Sequence, residues 1–387
     1  MIDVRYDPAA VRLADSTDSY VRFADLLPLR EPNARMPASS YTPLVHATRL
    51  GRELGMRSLY LKNETSLPTR STKDRMAAVA LAYLHERGVR TLCASSTGNS
   101  STSLAHRISA FPGMHLFLFT GEKFVPRVQH ADHGQVTHFG LRDASFVDAA
   151  ETASRFATQH ALTSESGFFN PGRREGLKLA FFEASEQVPE PIDWYVQAVS
   201  SAMGVYGTYK GAKELMQIKR LPRLPRLLCA QQATCAPMVR AYADGSETIR
   251  PEHRVAMPTG IAEAILRGDP TRAYPHVRRV VVDSGGSFVM AGEAQIRQAR
   301  RLVEDHEGIS PCFSAATAVA GLIEFVRENP SMTRSVVVIN LTGADRPEDA
   351  TPAPVKWVPK IDGGWSFPSP EWLDQRVPSD STTARAL

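Results

Sequence analysis

The sequence predicts an α/β protein built from two open three-layer domains with mainly parallel sheets. Three observations predict it. The chain has 387 residues, too many for one small core and suited to two α/β domains. Hydrophobic residues make up 43% and charged residues 22%, the balance of an ordinary globular protein. Strand-like runs alternate with helical patterns along most of the chain, as crossover units that build parallel sheets require.

Residues 1–40 are polar and loop-rich, with one short segment at Tyr20–Leu27. SLYLKNE (Ser58–Glu64) then predicts a strand, and KDRMAAVALAYLHERG a helix ending at Gly88. RTLCASS and MHLFLFT predict strands around the helix NSSTSLAHRIS. VDAAETASRFATQH and GLKLAFFEASEQV predict helices, DWYVQAVSS a buried strand, and VYGTYKGAKELMQIK the helix that follows it. RLLCAQQ and RRVVVDSG predict strands, EAQIRQARRLVEDH and AATAVAGLIEFVREN helices, and SVVVINLTG a last strand. From about Thr351 the chain is rich in Pro, Trp and Ser and predicts a wrapping arm.

Charge excludes one class of function. Lys and Arg total 45 against 41 Asp and Glu, so the net charge is +4 and spread along the chain, which does not argue for nucleic acid. The basic stretch Lys219–Arg226 is broken by prolines and reads as a solvated loop. Cys93, Cys229, Cys235 and Cys312 form no C-x-x-C pair and have no His spacing for zinc, so no metal is expected. The N-terminal residues show no signal pattern and no apolar run reaches membrane-span length. Reduced thiols and a soluble cytoplasmic protein are the expectation.

Ligands of such folds bind beyond the carboxyl ends of the strands. Four polar turns fall there: PTRSTKD, SSTGNSS, SSAMG and LTGAD. In the first, Ser71 and Asp74 form an S-x-x-D arrangement that can cap the next helix. Lys73 shares a stripe with Met76, Ala77, Ala80, Tyr83 and Leu84, so it points to the core, where burial would lower its pKa and prepare it for imine chemistry. A first-turn lysine reaching for solvent is the competing reading. The hydroxyls and amides of SSTGNSS, at a helix N-terminus, form an anion site or an ordinary Ser-rich turn. Ser200, Ser201, Ala202, Met203 and Gly204 could likewise cradle a phosphate with backbone N–H groups, or form a generic strand–helix turn.

Tyr41–Ala77 resembles the opening of threonine synthases and other fold-type II pyridoxal-phosphate (PLP) enzymes, the tryptophan synthase β-like superfamily. Thr42-Pro43-Leu44, Glu64, Pro68, Thr69, Ser71 and the Lys73-Asp74-Arg75 run match the family pattern, while Arg70 replaces a glycine and Thr72 an aromatic residue. The resemblance implies that Lys73 holds PLP as a Schiff base. It implies that Asn99 bonds the cofactor's 3′ oxygen, and that Ser96, Thr97, Gly98, Ser100 and Ser101 bind the substrate carboxylate. Ser200 to Gly204 would hold the cofactor phosphate. Thr342 would lie beside the pyridine nitrogen, a neutral partner that weakens the ring as an electron sink and suits elimination or replacement. It also implies a division into an extension (1–40), an N-terminal PLP domain (41–180) with a smaller mobile subdomain near 88–165, a C-terminal domain with the phosphate loop (181–350) and a tail (351–387). The family suggests a homodimer.

Asn170-Pro171-Gly172-Arg173-Arg174-Glu175-Gly176-Leu177-Lys178 is similar to the threonine synthase stretch that helps hold a substrate phosphate, yet Gly167 and Phe168 stand where two polar residues usually precede it. IDWYVQAVSSAMG and RLPRLLCAQQATCAPM are more similar to cysteate synthases, which add sulfite to phosphoserine. The expected function is therefore elimination and β-replacement on an amino acid with an activated side chain, with an anionic nucleophile such as sulfite. Arg70, Arg173 and Lys178 are the candidate anion holders, each with a solvated-surface alternative. Threonine synthase, a silent PLP-binding homologue and an NAD-binding protein are the alternatives, the last lacking an early G-x-G-x-x-G.

Overall fold

The computed structural model describes residues 1–31, 35–37, 41–346 and 353–367. Strands β1 (Leu44–His46), β2 (Ser58–Asn63), β7 (Trp194–Ala198), β8 (Arg226–Gln232), β9 (Ser287–Ala291) and β10 (Val336–Leu341) form one sheet, in the order β1-β2-β10-β7-β8-β9. Only the edge pairing of β1 with β2 is antiparallel. Every residue of β10 is buried, as expected of a central parallel strand covered on both faces. A second sheet, β11-β5-β4-β3-β6, is parallel throughout, with β3 (Thr91–Ser95), β4 (His115–Gly121), β5 (Val136–Leu141), β6 (Thr163–Ser164) and β11 (Lys356–Val358).

One sheet draws its strands from both ends of the chain. β1 and β2, expected in the N-terminal domain, pair in the sheet made otherwise of residues 194–341. β10 supplies the reason: its six residues Val336–Leu341 register against Ser58–Asn63, so the late strand is completed by the early one. The tail returns to the other sheet. β11 extends it beside β5, Arg142 stacks 3.9 Å over the Trp357 ring, and Phe367 packs edge-on to Phe119 and Phe139. Trp365 donates from Nε1 to the Arg142 carbonyl, whereas Trp372 lies outside the described residues.

RRVVVDSG is not a strand but the end of the helix Tyr274–Asp283. Tyr274, Val277, Val280 and Val281 are buried at helical spacing while Val282 stays exposed, so the period of burial overrides the β preference of three consecutive valines. The strand follows as β9. β5, which the sequence reading leaves unassigned, carries buried Thr137 and His138 between two aromatic-rich strands. The N-terminal segment is no loose extension: Tyr20, Phe23, Leu26 and Leu27 enter the largest apolar cluster.

The lysine helix, Lys73–Glu86, runs between the two sheets and is buried at every position from Arg75 to Leu84. A one-sided stripe therefore does not describe it, and Lys73 is aimed by its place at the helix start. The helix Pro171–Leu177 lies against it backbone to backbone: a Cβ on Gly176 would come within 2.4 Å of the Arg75 carbonyl oxygen. The Asn170–Lys178 motif is thus also a packing motif.

Candidate active site

The carboxyl ends of β2, β10 and β7 share one sheet edge, and β3 presents its own end from the other sheet. The four polar turns that follow these strands meet around a single cleft. Its lining includes Lys73, Ser96, Thr97, Asn99, Ser100, Ser200–Gly204, Arg173 and Thr342. The lysine and Thr342 turns are joined through the backbone: Thr72 N donates to Thr342 O (2.9 Å) and Ala344 N to Arg70 O (2.9 Å). The cap of the lysine helix differs in detail from the expected box. Ser71 Oγ accepts from Lys73 N at 3.2 Å, but the Asp74 carboxylate bonds Thr69 N (2.7 Å) and Thr69 Oγ1 (2.6 Å).

Lys73 has no ion pair and no side-chain hydrogen bond among the described residues. Burial, reinforced by the nearby Arg173 charge, lowers its pKa to about 8. Such an amine is neutral about a tenth of the time at pH 7, far more than an exposed lysine, as a nucleophile or base needs. Arg173 itself is held by the Glu165 carboxylate, which also accepts from Asn170 Nδ2 at 3.2 Å. Burial outweighs Arg173 and raises the Glu165 pKa.

Two expected anion holders are elsewhere. Lys178 is buried between Glu175 and Glu214 (2.7 Å to the latter), where two carboxylates satisfy it and keep it from the cleft. Arg70 is exposed on the far side of its turn, with φ 59°, the left-handed region that suits the glycine it replaces. Ser101 turns inward to Ser96 Oγ (2.8 Å), and Gly98 is buried behind the same turn. Phe168 lines the cleft and packs edge-on against Tyr206, an apolar wall at this part of the cleft.

The structure adds residues that the sequence reading passed over. Arg267 enters the cleft from the segment Ala264–Arg267 and has no carboxylate partner among the described residues; its Nε is buried and unbonded. Gln232 holds that segment, accepting from Ala262 N and donating to Ala262 O. Gln197 and Cys312 also line the cleft. A glutamine inside the apolar run DWYVQAV was the available signal for Gln197.

The residues fit PLP. At the end of β7 the chain enters the helix Met203–Gln217 through Ala202 in the left-handed region (φ 59°), so the first-turn N–H groups face the cleft end. A Cβ on Gly204 would meet Gln197 Nε2 at 2.4 Å, so a larger residue in the cradle floor would have to displace the Gln197 amide. Ser95 Oγ is buried in the cleft wall without a partner among the described residues. A family model described as "Pyridoxal-phosphate dependent enzyme" matches residues 36–343. The chain belongs to that family, and its cofactor is pyridoxal 5′-phosphate.

Family members include threonine synthases similar to this chain. The Methanosarcina acetivorans protein is 29% identical over 334 residues, 84% of this chain and 80% of its own length. The Mycobacterium bovis protein is 30% identical over 308 residues, 78% of this chain and 80% of its own. Among solved structures, threonine deaminase isoform 2 from Solanum lycopersicum aligns with a TM-score of 0.66 at 19% identity, covering 80% of both chains. Serine racemase from Dictyostelium discoideum aligns at 0.63 and 19%, over 80% of this chain and 94% of its own. These neighbours share the fold-type II architecture. No helix among the described residues is long and apolar enough to cross a membrane.

Proposed function

We propose that this PLP enzyme expels an anionic group from the β-carbon of an amino acid and replaces it with an anionic nucleophile such as sulfite, in the manner of cysteate synthases. The charge of the cleft carries this reading. Lys73 and Arg267 line it without carboxylate partners among the described residues, and Arg173 adds a third cation beside them. A cleft with that balance favours anionic substrates over neutral ones.

When bound, the cofactor supplies the electron sink that weakens bonds at the substrate α-carbon. Lys73 Nζ, with a pKa near 8, takes the α-proton and later returns it. Arg173 and Arg267 hold the departing phosphate, which leaves with the bonding electron pair, and then the incoming anion, through charge-assisted hydrogen bonds. Ser96, Thr97 and Ser100 hold the substrate carboxylate, and Asn99 and Thr342 would hold the cofactor at its 3′ oxygen and its ring nitrogen. Ser200 to Gly204 hold its phosphate. Phe168 and Met203 keep water from the reacting carbon. We take the enzyme to work in the cytoplasm as a homodimer, which sedimentation of the purified protein checks.

A second reading is threonine synthase, favoured by the curated relatives of that name. Product analysis separates the two. Phosphoserine with sulfite is expected to give cysteate, whereas threonine from phosphohomoserine would replace the first reading with the second. Turnover of neither, in protein that does bind PLP, would point to a silent PLP-binding homologue.

A further inference from the structure

The last described residue before position 347 is Arg346, whose guanidinium is fixed by three bonds. Nε donates to Thr69 O (3.3 Å), Nη1 to Arg127 O (3.1 Å) and Nη2 to Asn99 Oδ1 (2.7 Å). The first acceptor belongs to the lysine turn, the second to the segment that follows β4, the third to the helix start after β3. Asn99 lines the cleft.

An asparagine carboxamide can ordinarily be turned end for end, because its two ends differ only in donor and acceptor character. Arginine removes that freedom. It has donors only, so the Asn99 oxygen must face Arg346 and the NH2 group must face away from it. That NH2 group has no hydrogen-bond partner among the described residues. A donor so directed suits an oxygen that carries negative charge, and a cationic neighbour on the amide oxygen polarises it further.

We propose that Arg346 is a positioning residue that locks the Asn99 carboxamide with its NH2 group toward the cleft, and so favours the ionised form of the cofactor's 3′ oxygen. It rests on the reading of Asn99 as the partner of that oxygen. Without Arg346 the amide is free to invert and present an oxygen to an oxygen, which favours the neutral form. A role confined to stapling three segments would change stability and leave the cofactor's ionisation alone.

The test is the ratio of the visible to the near-ultraviolet absorption band of the PLP-loaded enzyme, read across pH in wild type, R346M, N99A and the R346M/N99A double variant. R346M and N99A are expected to lower the ratio in the same direction, by about tenfold at fixed pH, equivalent to about 1.4 kcal/mol. The double variant should then go no further than N99A alone, since Arg346 acts through that amide. A wild-type ratio in R346M beside a lowered one in N99A overturns the role of Arg346 and leaves Asn99 standing; so do additive effects. A wild-type ratio in N99A overturns both, with the fault in the Asn99 reading. If R346M does not fold, R346Q, a neutral donor, is expected to fall between wild type and N99A, and a wild-type ratio there is again contradictory.

Discussion

Two regions of this molecule bury cations, and they treat them in opposite ways. Beneath the lysine helix, Arg75 is clamped by Glu64 (2.6 Å) and Glu183 (2.6 Å), and Lys62 joins the same Glu183 at 2.7 Å. A neighbouring cluster pairs Lys178 and Lys210 with Glu175 and Glu214. Each is two cations against two carboxylates. In the cleft, Lys73 and Arg267 have no such partners among the described residues. Burial pulls Lys210 and Lys73 the same way, yet Glu175 and Glu214 hold Lys210 above its ordinary value while Lys73 falls to about 8. Lys62 falls as well, because its burial outweighs Glu183, so pairing reverses the shift at Lys210 and not at Lys62; what sets Lys73 apart is that no carboxylate among the described residues occupies its ammonium group.

Removing the reactive amine should have the largest effect. Lys73→Ala is expected to lower turnover by at least about 10³-fold with the fold intact by circular dichroism. Activity within tenfold of wild type would erase the distinction between the regions. On the structural side, Glu183→Ala strands Lys62 and leaves Arg75 with Glu64 alone, and thermal or urea unfolding should register a loss of about 3–5 kcal/mol. A loss below 1 kcal/mol would mean that the network matters little.

Sharper comparisons use single cations. Arg267→Gln should raise KM for a phosphorylated amino acid by about 10–100-fold, the worth of a charge-assisted bond, and leave an uncharged amino acid unaffected. Lys178→Met should do the reverse, costing about 1–3 kcal/mol of stability with KM unchanged, because Lys210 still bridges both carboxylates. A raised KM without a stability loss would return Lys178 to the substrate site.

A further comparison is in pH. The cofactor-free protein holds Lys73 below its unfolded pKa, so the unfolded chain binds more protons between about pH 8 and 10.5, and stability should rise with pH across that window. The penalty is fully present below pH 8 and gone above 10.5. In Lys73→Met the rise should flatten; an unchanged slope in urea titrations would place Lys73 in solvent.

Much of the cleft lining was legible in the sequence because turns after strands are local features. Lys73, Asn99, the Ser200–Gly204 cradle and Thr342 each sit in a short polar run, and topology alone brings those runs to one edge. Long-range pairing was not legible. Nothing near Lys178 announced that Glu214 would take its charge, and nothing near Val336 said that its partner strand begins at Ser58. Arg173 and Lys178 look alike in one motif, yet one lines the cleft and the other sits on the opposite side of its helix. The valine run in Tyr274–Asp283 misled for a related reason, since the neighbours that bury Val277, Val280 and Val281 lie elsewhere in the chain.

The most direct test of pairing as the determinant is to load the protein with PLP, reduce it with borohydride and map the modified peptide. The label is expected on Lys73 alone. A label on Lys62, Lys178 or Lys210, whose ammonium groups are held by carboxylates, would contradict the account.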